Sequence, residues 1–331
     1  MAAVGLKSRL GLWVTIGVVA LIVVFFVLFI DLGQVIGQIR RADWRDLVGA
    51  SGFLLAGMVV YAFRWRLLLA DKPGRLVTYH AANIGHMFNI LLPLRAGEPA
   101  RIVYLGTQAH ISVAEVASSV FIERQLEQIM RIAALGGAIL FGAGVRISFE
   151  TILGAFVFLI LAFGFLFWMV HHRQRVLVAW PPILGRLPRL SEARARQILT
   201  ELLDGLSSIS SPERLVMAFL SSLLCWSLFW GYQYLTLAAL GINLSLLQKL
   251  AVSVGALALS PPSAPTQPGI YHVSVVVPLA AIGFDRTMLT SYAVILHALQ
   301  MFWMIGMGLW GLSRSGFRGR ELLKSGQVPP G

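Results

Sequence analysis

Leu92-Pro93-Leu94-Arg95-Ala96-Gly97-Glu98-Pro99 interrupts an otherwise apolar stretch that runs from Leu76 to Gln108. Proline and glycine at that density end a helix. A second interruption, Ser260-Pro261-Pro262-Ser263-Ala264-Pro265-Thr266-Gln267-Pro268-Gly269, splits the apolar stretch Leu246 to Gly283. Backbone groups freed by such breaks cannot face lipid, so they must be buried in protein or line a wet cavity. The pattern predicts two re-entrant hairpins, each a pair of half-helices. Ordinary Pro-rich surface loops between extra full spans are the competing reading.

Composition makes the bilayer the main solvent of the chain. Of 331 residues, 57% are hydrophobic and only 13% charged. Soluble domains carry about 25% charge. Outside the two broken stretches, six apolar runs approach the roughly 20 residues needed to cross a hydrocarbon core. They are Gly11 to Ile30, Leu47 to Leu69, Val113 to about Val145, Ile152 to Val170, Leu215 to Leu240 and Met288 to Leu312. The first is too long for an ordinary signal-peptide core and no small-x-small site follows it, so it reads as a retained helix. Cys225 is the single cysteine, which excludes an intrachain disulfide and a cysteine-based zinc cluster.

The net charge of +12 fits a membrane protein with basic cytoplasmic loops better than a nucleic-acid partner. With the N-terminus inside, Lys7, Arg9, Arg64, Arg66, Lys72, Arg75, Arg173, Arg175, Arg186, Arg189, Arg194, Arg196, Arg314, Arg318, Arg320 and Lys324 fall on the cytoplasmic side. Only Arg40, Arg41, Arg45, Arg146 and Arg286 fall outside. The asymmetry predicts a multi-pass protein of the cell (plasma) membrane with both termini cytoplasmic. Residues 171–211 read as a cytoplasmic loop, Pro-punctuated from Pro181 to Ala193, with an amphipathic helix over Ser191 to Leu206.

The first hairpin then enters from the cytoplasm and the second from outside. Each half reads as two spans, one broken hairpin and one span. The expected fold is a single all-α polytopic membrane domain over 1–331. It has about six spanning helices plus two re-entrant broken-helix hairpins, in an inverted repeat of halves near 11–145 and 152–312. Broken segments at matching positions of inverted halves point to a transporter's substrate site.

Charged residues at membrane depth cost about 2.5–3.5 kcal/mol or more, so they face a cavity or one another. The first break carries Arg95, Glu98 and Arg101, two cations to one carboxylate. Arginine's planar fork suits phosphate or carboxylate. An Arg95–Glu98 pair that only pins the hairpin tip is the structural alternative. The third span holds Glu123, Arg124, Glu127 and Arg131; Glu123 with Glu127, and Glu127 with Arg131, are four apart on one helix face. Arg95 and Arg101 are their expected partners. Proton relay, counter-charge for a phosphate-binding arginine, and a buried packing network all fit this arrangement. Arg64-Trp65-Arg66 reads as an interfacial anchor. His80, Asn83, His86 and Asn89 recur every three residues as a polar stripe turned toward the bundle. His272 and His297 read as hydrogen-bonded packing histidines. Gly154 and Gly164 read as helix-packing positions. No metal or cofactor is expected.

Asn89-Ile90-Leu91-Leu92-Pro93-Leu94-Arg95-Ala96-Gly97-Glu98-Pro99-Ala100-Arg101, followed by Phe121-Ile122-Glu123-Arg124-Gln125-Leu126-Glu127, resembles the transmembrane region of the lysylphosphatidylglycerol synthase/flippase family. These are also described as flippase-like integral membrane proteins. Pro262 to His272 resembles the family's second motif, with His272 standing where an acidic residue is usual, and His297 matches a recurrent histidine. The resemblance implies a protein that moves a phospholipid or lipid-linked headgroup between leaflets. It implies Arg95, Glu98, Arg101, Glu123, Arg124 and Glu127 as substrate-binding candidates, to which Asn89 and His272, beside the two breaks, are added. At this length no aminoacyl-transferase domain is expected beside the membrane part, so lysine-lipid synthesis would need another protein. A flippase-like transporter of an anionic lipid is therefore the leading expectation, not an enzyme. A membrane enzyme of lipid metabolism and a non-transporting scaffold for a lipid synthase or glycosyltransferase are the alternatives. A homo-oligomer or a lipid-synthase partner stays open.

Overall fold

In a computed structural model, the described residues are 37, 40–92, 95–140, 149–186, 191–206, 211–241, 243–260, 270–281 and 283–314. They form α-helices and, among the described residues, no strand. In chain order these are α1 (Trp44–Leu68), α2 (Arg75–Leu91), α3 (Gly97–Ala109), α4 (Val113–Leu140), α5 (Phe149–His171) and α6 (Arg173–Leu184). There follow α7 (Glu192–Gly205), α8 (Pro212–Ala239), α9 (Leu246–Leu259), α10 (Ile270–Ala281) and α11 (Arg286–Arg314). The predicted span Gly11 to Ile30 lies outside the described residues, as do Pro93, Leu94 and the second break over 261–269.

Local sequence sets the helix ends. Asp43 caps α1 by accepting from the Arg45 N–H at 2.8 Å. Ser211 caps α8, with Pro212 in the first turn where a missing N–H costs nothing. Ser245 and Gln248 form a reciprocal capping box on α9. α1, α8 and α11 have 25, 28 and 29 residues and are apolar enough to cross a membrane. At 1.5 Å per residue each exceeds a hydrocarbon core about 30 Å thick. α4 is as long, with 28 residues, but carries Glu115, Glu123, Arg124, Glu127 and Arg131. The chain is an all-α polytopic membrane protein.

α1 and α8 pack antiparallel along most of their length. The Asp43 N–H donates to the Ala239 carbonyl at 2.9 Å at one end. Farther along, a Cβ on Gly231 would lie 2.6 Å from Phe53, and one on Gly57 would lie 2.5 Å from Phe229. Glycine therefore lets an aromatic ring nest against the facing backbone. α2 and α11 are antiparallel too: His80 meets Gly311, and Met87 meets Gly308.

The helices repeat in register. α2, α3 and α4 begin at Arg75, Gly97 and Val113; α9, α10 and α11 begin 171, 173 and 173 residues later, at Leu246, Ile270 and Arg286. Packing repeats with them. α1 lies on α2 as α8 lies on α9; α2 lies on α11 as α9 lies on α4. Tyr61 on α1 donates to Glu123 on α4, and Tyr232 on α8 donates to the Leu296 carbonyl on α11.

One end of the bundle collects the basic connections. Lys72 pairs with Glu115 at the start of α4. α7 docks there as well, where a Cβ on Gly205 would lie 1.8 Å from Ser118 Oγ. Leu203 and Leu206 join a small core with Leu68, Ile122, Leu126 and Val176. The amphipathic helix thus covers the bundle end with its apolar face. Two sequence expectations need correction. Pro181 and Pro182 do not open a loop but lie within α6, which continues to Leu184. Gly154 and Gly164 have no neighbour among the described residues within 4 Å of an added Cβ, so they are not close-packing positions there.

Candidate functional site

The first hairpin is closed by Asn89 and two glycines. Asn89 Oδ1 accepts the Gly97 N–H at 2.9 Å, giving α3 a cap from the opposite arm. A Cβ on Gly97 would stand 1.9 Å from the Gly85 carbonyl oxygen, and one on Gly85 would stand 2.8 Å from the Arg101 side chain. Only glycine allows α2 and α3 this approach, which brings Arg101 across the face of α2.

Arg101 is 2% exposed. Its fork reaches Glu123 with Nη2 at 2.9 Å and Nη1 at 3.2 Å. Its Nε and Nη2 also donate to Glu98 at 3.0 and 2.8 Å. The guanidinium lies 4.5 Å from the Trp65 ring centroid, so an aromatic face replaces part of its hydration. Arg124 donates to both Glu98 and Glu127. Arg64, fully buried on α1, donates to Glu127 at 3.0 Å and lies 3.8 Å from Glu123. The pairs close on themselves: Arg101, Glu98, Arg124, Glu127, Arg64, Glu123 and back to Arg101. Three cations alternate with three carboxylates in one ring drawn from α1, α3 and α4.

Neighbours complete the ring. Tyr61 donates its hydroxyl to Glu123. Trp65 Nε1 donates to Ser119 Oγ at 3.0 Å, fixing the ring on which Arg101 rests. Arg64 Nη1 donates to Ser222 Oγ on α8 at 3.4 Å. His86 of the α2 stripe lies against Tyr61, with ring centroids 4.8 Å apart. His80, Asn83, His86 and Asn89 are all buried, so the polar stripe does face the bundle.

Of the residues singled out in the sequence, Glu98, Arg101, Glu123, Arg124 and Glu127 converge in the ring, and Asn89 holds the hairpin beneath it. Arg95 does not join. It sits exposed at the tip in a left-handed conformation, φ 57°, and makes no ion pair among the described residues. Neither its expected pairing with Glu123 and Glu127 nor the alternative Arg95–Glu98 pair forms; Glu98 pairs with Arg101 and Arg124 instead. His272 lies in the second half, its ring 5.1 Å from that of His297, which in turn stacks on Tyr271 at 4.7 Å.

Arg64 is the residue that sequence reasoning misplaced. The sequence places it at the membrane interface with Trp65, yet both are fully buried. Its helical position carried a signal. Tyr61 and Leu68 lie one turn away on the same face of α1, and both are buried. Arg66, turned from that face, instead holds Asp71 and the Pro73 carbonyl.

The ring is electrically balanced, with Arg64, Arg101, Glu123 and Glu127 buried and Glu98 and Arg124 partly exposed. Removing one partner from a buried pair costs about 3–5 kcal/mol, because a charge is left uncompensated. Such a ring is sensitive to any single removal, and its three guanidinium groups are of the type that pairs with carboxylate or phosphate. Residues 12–308 match the family model described as lysylphosphatidylglycerol synthase TM region. No curated protein and no solved structure matches the chain.

Proposed function

The chain belongs to the lysylphosphatidylglycerol synthase transmembrane-region family, and from that premise we propose that it moves an anionic lipid headgroup between leaflets. The observation that carries the reading is the closed Arg–Glu ring beside a hairpin tip whose own arginine, Arg95, is exposed and outside the ring. In this reading Arg95 meets the headgroup phosphate first. The phosphate then competes with Glu98 for Arg101 and Arg124, while the tails stay in lipid. Glu123 and Glu127 balance the arginines when no anion is present, so the empty site carries no buried excess charge.

Depth supports this assignment. Glu123 lies ten residues, about 15 Å, from the start of α4. That is near half of a 30 Å hydrocarbon core. The repeated register of α2–α4 and α9–α11 and the antiparallel packing of α1 on α8 support an inverted repeat. Repeats of that kind rock about a fixed midplane site. The two breaks are then re-entrant tips entering from opposite faces. By the charge asymmetry of the connections, the Lys72–Glu115 end faces the cytoplasm of a cell with an anionic inner leaflet.

The test uses vesicles holding the reconstituted protein and fluorescent phosphatidylglycerol, with an impermeant quencher reporting the outer leaflet. Wild type should equilibrate the label across the bilayer. Arg95→Gln, which breaks no ion pair among the described residues, should lose most transfer while unfolding at the wild-type temperature. Unchanged transfer in that variant would remove Arg95 from the path. Mass analysis of the same lipid distinguishes transfer from chemistry: a transporter alters sidedness, an enzyme alters mass.

A further inference from the structure

A second arginine-topped feature lies on the opposite face of α1 from the ring. Val59, Ala62, Phe63 and Arg66 of α1, Arg75, Leu76 and Tyr79 of α2, and Trp310 of α11 enclose a groove of about 480 Å³. At 100° per residue these α1 positions lie about half a turn from Tyr61 and Arg64. The groove and the ring therefore share no side chain.

The groove is amphipathic along its length. Val59, Phe63, Leu76 and Trp310 are large, apolar and exposed. From Val59 to Arg66 the wall rises seven residues, about 10 Å. Arginines stand at its upper end. Arg66 is braced by Asp71 and the Pro73 carbonyl. Arg75 is exposed and makes no ion pair among the described residues. A Cβ on Gly311 of α11 would lie 3.2 Å from His80, so Arg314, one turn farther, stands toward the Arg75 end of α2. Two lining cations, Arg66 and Arg75, thus stand against a single carboxylate, Asp71, at the mouth.

We propose that this groove is a resident site for one anionic phospholipid, its phosphate on Arg75 and an acyl chain along Val59, Phe63, Leu76 and Trp310. The membrane supplies the occupant, because the apolar wall lies on a helix long enough to span it. The charge excess selects the headgroup, since surplus guanidinium favours a net anion over a zwitterion. Trp310 and Tyr79 give the site the interfacial aromatic pair that sits at headgroup level, their rings 6.1 Å apart.

The proposal stands apart from transfer through the ring, and its test separates the two. The protein is placed in nanodiscs of equal phosphatidylglycerol and phosphatidylcholine, released in mild detergent, and weighed intact by native mass spectrometry. Wild type should hold one phosphatidylglycerol in preference to phosphatidylcholine. Arg75→Gln should lower that retained fraction about tenfold, the scale of one charge-assisted hydrogen bond. Leu76→Trp, which fills the groove from an exposed position, should displace the lipid with every arginine in place. Arg45→Gln, at the other end of α1, should leave it bound, and so should Arg95→Gln. Equal retention in Arg75→Gln and Arg45→Gln would overturn the site. Retention of phosphatidylcholine to the same extent would overturn the selectivity. Loss of transfer without loss of this lipid would separate the ring from the groove.

Discussion

Glu123→Gln removes one charge from the ring and almost no volume. Glu123 accepts two hydrogen bonds from Arg101 and one from Tyr61, and lies 3.8 Å from Arg64. At an effective dielectric of 20, one ion pair at 4 Å is worth about 4 kcal/mol. Arg101 retains Glu98 and Arg64 retains Glu127, so neither cation is stripped bare. The ring as a whole is left with one uncompensated positive charge, and the expected loss is about 3–5 kcal/mol. Thermal unfolding in detergent should register a large downward shift. Arg64→Gln alone should cost a similar amount, leaving one excess negative charge. The double variant restores neutrality, so its loss should fall short of the sum of the singles by about 1–3 kcal/mol. Strict additivity, or a Glu123→Gln protein as stable as wild type, would show that the ring is not a single electrostatic unit.

Other consequences are local. Gly97→Ala places a methyl 1.9 Å from the Gly85 carbonyl, so the hairpin cannot close and monodisperse protein should be lost on size exclusion. Trp65→Phe keeps the aromatic face under Arg101 but drops the bond to Ser119. It should cost about 1–3 kcal/mol, read as a modest shift in unfolding temperature. Gly205→Val forces a side chain into Ser118 and Glu115, so α7 should leave the bundle end and become sensitive to protease while α1 and α8 remain folded.

Much of the architecture was legible because bilayer physics leaves little choice. A run such as Leu215 to Leu240 must be a helix, and α8 occupies Pro212–Ala239. Pro93, Gly97 and Pro99 had to end one helix and begin another: α2 ends at Leu91, and α3 begins at Gly97 with Pro99 in its first turn. Of the site, Glu123 and Glu127 were legible from their spacing, and Glu98 and Arg101 from their density in an apolar stretch. Pro181 and Pro182 misled because, although each lacks an N–H, the last turn still closes on their carbonyls: the Pro181 C=O accepts the Gly185 N–H at 2.8 Å, and α6 ends at Leu184.

Sequence alone determined that these charges must meet something, because an ionised group cannot be left in hydrocarbon. It could not determine which partners they take. That choice depends on contacts between residues far apart in the chain: Gly97 against Gly85 sets where Arg101 reaches, and α1 on α8 turns Arg64 inward beside Ser222. Arg64 and Arg66 are two residues apart, chemically identical and adjacent to the same tryptophan. Helix periodicity turns the two nearly opposite ways, and tertiary packing decides which face meets the ring of charge and which lies at the rim of the groove.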